Sequence, residues 1–155
     1  MAPPQSLTDT VRDLLVRIGV VRMDRERAQS LAEKAKTDPG AVNLNTARAG
    51  LDDSNSHIRN QTALVFNEVS KTNPARVEPY LDALEPRLAD PSEKTRNLGA
   101  HIFSRVSKAD SDRVMPYLDS LESCLDDVDE HTRNQATMAF YEVSKTNSSQ
   151  VVPHL

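Results

Sequence analysis

A period of 37 residues runs through most of this chain without a gap, and it constrains the fold more than any other feature. Leu51, Leu88 and Leu125 stand 37 apart, and so do Asp53, Asp90 and Asp127. The same offset superposes Arg59, Arg96 and Arg133, then Asn60, Asn97 and Asn134. It carries on through Phe66, Phe103 and Phe140, which are all the phenylalanines present, and closes on Pro79, Pro116 and Pro153. Self-similarity at such a period is the mark of a stacked-repeat architecture, in which no single unit buries its apolar face alone.

Each unit reads as a helical hairpin. Apolar or small residues at 58, 62, 65, 66 and 69 form one stripe at helical spacing, so a long helix is expected over about 54–72, with counterparts near 91–109 and 128–146. Asp90 is the expected N-cap of the second, with Pro91 at the first helical position and Glu93 completing a capping box; Asp127 and Glu130 repeat the arrangement. A shorter helix should follow Asn73, Asp110 and Asn147, carrying Val77, Leu81, Leu84 and Leu88 in the first unit. Its recurrent proline falls near the first turn, where it is tolerated or bends the helix gently, and Pro86 is an additional break peculiar to the first unit. The units are then 51–87, 88–124 and an incomplete 125–155, forming one continuous domain with residues 1–50 as degenerate capping helices. In that cap, Val11, Leu14, Leu15 and Ile18 mark one helix, Met23 to Lys36 a second, and Ala41, Leu44, Ala47 and Leu51 a short third.

The turn Asp-x5-Arg, present as Asp53/Arg59, Asp90/Arg96 and Asp127/Arg133, resembles the signature of HEAT repeats, in the armadillo-like class. The resemblance covers residues 39–155 well and 6–38 loosely. It implies an all-α, right-handed α-solenoid of about three to four hairpins. It also implies that these Asp and Arg side chains form a ladder between repeats, and that the second helices line a concave face. Proteins of this kind are mostly scaffolds, adaptors and regulatory subunits.

Placed on a helical wheel at about 100° per residue, the outward ridge of the long helices offers candidate partner contacts. They are Asn60, Gln61, Leu64 and Lys71 in the first unit, and Asn97, Leu98, His101 and Lys108 in the second. The third offers Asn134, Met138 and Lys145, with Tyr141 beside them. Leu64, Leu98, Met138 and Tyr141 are the expected anchors, because Met and Tyr are enriched in protein interfaces. Asn60, Asn97 and Asn134 could hydrogen-bond an extended peptide, although recent duplication also accounts for their recurrence. The lysines of the last turns complement the helix dipoles.

Other chemistry lacks support. Cys124 is a lone cysteine, so no internal disulfide forms and a reducing, cytoplasmic setting is expected. The four histidines, at 57, 101, 131 and 154, show no metal-ligand spacing, and Asp126 to His131 lacks the alternation and central glycine of a calcium loop. No phosphate loop and no catalytic set is present, so neither enzyme activity nor a cofactor is expected. No stretch approaches the roughly 20 apolar residues that span a bilayer. A net charge of -4 disfavours nucleic acid, although Lys94, Arg105 and Lys108 form a local basic patch. The excess of Asp over Glu and of Arg over Lys hints at a salt-adapted source. The expected function is a non-enzymatic scaffold or adaptor that binds a peptide or helix of another protein along the concave face. The alternatives are a regulatory or lyase-like enzyme subunit and a nucleic-acid binder. Self-association is a further expectation, because the sequence stops partway into a short helix with no polar cap behind it.

Overall fold

A computed structural model describes residues 5–19 and 22–155. Among the described residues the chain is wholly helical, without strands: an all-α solenoid in which three long helices stack side by side. These are α4 (Ser56–Thr72), α6 (Glu93–Ala109) and α8 (Glu130–Val151). Before them come α1 (Gln5–Arg17), α2 (Arg25–Thr37) and α3 (Leu44–Arg48). The short α5 (Leu81–Leu84) and α7 (Leu118–Cys124) connect the long helices. The helical run of α8 kinks at Asn147, whose φ/ψ of -150°/72° repeats those of Asn73 and Asp110, where α4 and α6 end.

The core is one cluster running along the stack, because α4 packs between α2 and α6, and α6 between α4 and α8. Phe66 and Phe103 are fully buried and Phe140 nearly so. Each packs against the ring 14 residues further on: Tyr80 at 5.2 Å, Tyr117 at 5.3 Å and His154 at 5.5 Å between centroids. Small residues let the elements close up. A Cβ on Gly99 would meet Leu88 at an ordinary 3.4 Å, whereas one on Gly50 would meet Thr62 Cγ2 at 2.5 Å.

Three expectations need correction. Asp90 and Asp127 do not cap the helices that follow them. The caps fall two residues later, at Ser92 and Asp129, so Glu93 and Glu130 open their helices rather than completing a capping box. Asn55 and Asp129 accept from the amides of His57 and Thr132, while the Asp53, Asp90 and Asp127 carboxylates are turned to another use. Secondly, the shorter helix is not continuous. Missing amides at Pro79, Pro86 and Pro116 break it into 3-10 turns flanking α5 and α7. Thirdly, the stripe of α1 is not a buried face. Val11, Leu14 and Ile18 are exposed and, among the side chains described there, Val16 is the buried one, so the N-terminal helix does not present a purely polar outer surface. Likewise Val42, rather than Ala41, enters the core ahead of α3.

Candidate interaction groove

The three Asp-x5-Arg pairs tie the stacked units together. Arg59 Nη1 donates 2.8 Å to the carbonyl of Asp53 in its own turn, while its Nε and Nη2 donate to the carboxylate of Asp90 in the next unit at 2.8 and 3.2 Å. Arg96 repeats this, donating to the Asp90 carbonyl at 3.0 Å and to the Asp127 carboxylate at 2.7 and 3.2 Å. Arg133 holds the carbonyl of Asp127 at 2.6 Å. Each carboxylate also accepts the amide two residues on, at Asn55, Ser92 and Asp129, which fixes the turn.

One rung lies outside the sequence pairs. Arg22 donates to Asp53 at 3.0 and 3.3 Å, the same 31-residue reach as Arg59 to Asp90. It stands 37 before Arg59, so extending the period one step upstream would have found it. Burial would raise the Asp90 carboxyl, but the bonds from Arg59 and Ser92 and the charges of Arg59 and Arg87 outweigh it, holding its pKa below the ordinary carboxylate range. At Asp127 the bond from Arg96 is the main cause of the same downward shift.

Stacked in this way, the long helices form a groove of about 390 Å³ near their N-terminal ends. Asn60, Leu64, Glu93, Lys94, Asn97, Leu98, Asp129 and His131 line it. Its floor is the pair Leu64 and Leu98, half-buried side chains from α4 and α6 that pack against the core from outside. Lys94 supplies positive charge, Glu93 and Asp129 supply negative charge, and His131 adds an imidazole. The acidic pair was not among the ridge candidates, because both residues read from sequence as parts of helix starts.

The structure therefore brings together Asn60, Leu64, Asn97 and Leu98 among the ridge residues. The asparagines have a second duty. Asn97 Nδ2 donates to Asp129 at 3.1 Å, and Asn60 Nδ2 reaches Thr95 at 3.5 Å, so both tie one long helix to the next. Gln61 is half-buried beside the groove, whereas Asn134 and Met138 are exposed on α8 outside it. Lys71 and Lys145 are exposed in the last turns, paired to Glu68 at 2.7 Å and Glu142 at 2.6 Å. Lys108 is exposed in the same register. Tyr141 stands off the ridge: it occupies the register of Asn67 and Ser104, both buried where the following helix packs, and its own ring is 54% exposed beneath Lys145.

Further along the ridge lies His101. Burial first, then the charges of Arg105, His131 and Lys71, push its imidazole below the ordinary histidine value. Arg105 points inward, donating to Asn67 Oδ1 at 2.5 Å and Ser70 Oγ at 3.2 Å. Among the described residues no helix is long and apolar enough to cross a membrane.

No protein-family model and no curated protein matches the sequence. Solved structures do match the fold. The crystal structure of an engineered protein superposes with a TM-score of 0.72 at 15% identity, covering 92% of this chain and 67% of that one. A designed armadillo repeat protein superposes with a TM-score of 0.61 at 18% identity, covering 99% and 66%. The chain thus spans about two thirds of each and has the armadillo/HEAT-like solenoid fold.

Proposed function

We propose that this chain is a non-enzymatic scaffold that binds a peptide or helix of another protein across the groove between α4, α6 and α8. One observation carries the reading. Leu64 and Leu98, from two adjacent helices, form a shared apolar floor in the groove. Hydrogen-bonding and charged side chains of both signs surround that floor. A pocket of this kind takes one apolar anchor of the partner while polar groups at its rim fix orientation. The mixed charge around it suits an amphipathic segment rather than a polyanion. Arg105, the strongest element of the basic patch, is engaged with Asn67 and Ser70, and Lys71 with Glu68, which weighs against nucleic acid.

The test uses residues that the same register already accommodates. In Leu64→His with Leu98→Gln, each side chain becomes the one found 37 residues further on, His101 and Gln135. The double variant should retain the native circular dichroism and unfolding midpoint and lose capture of a partner that the unaltered chain retains. A partner bound equally well by both chains would refute the groove as its site.

A further inference from the structure

One cluster of metal-ligating side chains lies apart from the groove. Its origin is a change of residue at a repeated position: Tyr80 and Tyr117 are followed in the third unit by His154. In the first two units the ring packs on the unit's phenylalanine and its tip reaches back to the preceding unit. Tyr80 OH donates to Asn45 Oδ1 at 2.7 Å, and Tyr117 OH donates to Asp82 Oδ1 at 2.6 Å. His154 keeps the ring packing against Phe140. Its Nδ1 faces two carboxylates on α7, 2.7 Å from Glu122 Oε2 and 3.7 Å from Asp119 Oδ1. The three ligand atoms all lie within 4.8 Å of one another.

We propose that His154, Asp119 and Glu122 form a site for a divalent transition-metal ion of the Zn²⁺ type. One imidazole nitrogen and two carboxylate oxygens make a borderline donor set that suits Zn²⁺ and its neighbours, whereas Ca²⁺ and Mg²⁺ favour all-oxygen shells. Bonds of about 2.0–2.2 Å around Zn²⁺ put its ligand atoms roughly 3–3.5 Å apart. The observed separations reach that range by rotation of the two carboxylates. Asp119 is free to rotate, being 98% exposed, while the imidazole that must be fixed is 13% exposed and held against Phe140. The ion takes the Nδ1 lone pair, leaving the ring proton on Nε2, and water fills the remaining positions. Bound there, the ion ties α7 to the last 3-10 turn, Val152–His154. It would take over the inter-unit link that the tyrosine hydroxyl makes in the earlier units.

The site is tested on the full chain after chelator treatment, by calorimetric titration with Zn²⁺, by Co²⁺ absorption and by thermal unfolding with and without metal. The expected result is one Zn²⁺ per chain and a raised unfolding midpoint. His154→Tyr restores the residue of the earlier units, so its metal-free midpoint should stay near that of the parent. Its Zn²⁺ affinity should fall by well over the roughly tenfold that loss of even an outer-shell partner brings. Asp119→Asn should behave likewise from the carboxylate side. No uptake by the parent chain, or uptake undiminished in His154→Tyr, would overturn the assignment.

Discussion

The ladder makes a quantitative prediction, because its rungs are chemically alike but differently buried. Asp90 has no exposed side-chain surface and accepts from Arg59 at 2.8 Å and from Arg87 at 2.8 Å, and both guanidinium groups are only 12% exposed. Asp53 is almost as buried, but its partner Arg22 is 71% exposed. Asp90→Ala therefore strands two desolvated cations. Arg87 is the worse placed: its Nε already lacks a partner, and burial depresses its pKa. Removing one side of a buried pair costs about 3–5 kcal/mol. Asp53→Ala releases a cation into water, where a surface pair contributes at most about 1 kcal/mol. It also loses one bond from the Asn55 amide, worth about 1 kcal/mol, for a total near 1–2 kcal/mol. Urea unfolding at pH 7, followed by circular dichroism and by a second probe of tertiary structure, measures both variants. Adding Arg87→Cys to Asp90→Ala, with the residue that the next unit carries in that register, should recover part of the loss. Losses for Asp53→Ala and Asp90→Ala that agree within about 0.5 kcal/mol, the usual scatter of such comparisons, would refute the argument that burial of the cation sets the cost.

Other residues give sharper single readouts. Burial pushes the Cys124 thiol up to about 11, so Ellman's reagent at pH 8 should label it only after unfolding in urea, and rapid labelling of the native chain would contradict its burial. Burial and then the bond to Asp82 push Tyr117 up to about 12. The folded chain holds this proton above the ordinary tyrosine value of about 10, so the contribution is complete below about pH 10 and is lost as pH rises towards about 12. The urea midpoint of the parent should accordingly fall more steeply than that of Tyr117→Phe over that window. Gly99→Ala, which fits at ordinary contact distances and matches Ala136 in register, should stabilise the chain by up to about 1 kcal/mol through helix propensity. Gly50→Ala should destabilise it, because the new methyl overlaps the stiff, buried Thr62; a rise in midpoint would show that the side chains there give way.

The stacked helices were legible in the sequence because the period exposes the same inward stripe three times over. The helix starts were misplaced for a physical reason. An aspartate before a helix is an equally good cap or ladder acceptor, and only the distance to an arginine in the neighbouring unit decides which. The short helix misled at its recurrent proline: one near a first turn is tolerated, but Pro79 turns that stretch into 3-10 helix and, with the break expected at Pro86, leaves only Leu81–Leu84 as α-helix. On the ridge, a wheel places Leu64 and Leu98 correctly beside each other only once the stagger between α4 and α6 is known. Glu93 and Asp129 enter the groove because they stand at the starts of α6 and α8, beside which it lies.

What the period does supply is a means of separating scaffold from function inside one molecule. Equivalent residues sit on nearly equivalent backbone, so a change of side chain at a fixed register isolates its own consequence. At one register Gly50, Arg87 and Cys124 succeed one another: a close approach to Thr62, a second cation on Asp90, and a thiol that donates to the Leu88 carbonyl at 3.5 Å. The glycine is demanded by its neighbours at position 50, whereas the roomier register positions 87 and 124 carry an arginine and a cysteine. At another register the ring is constant while its tip changes, with centroids 5.2, 5.3 and 5.5 Å from the phenylalanine in successive units. Packing therefore explains why an aromatic ring stands at 154, and it does not explain why that ring is an imidazole facing two carboxylates. The same reasoning applies to Leu64, His101 and Met138: three different side chains stand on equivalent backbone, so the solenoid needs none of them in particular.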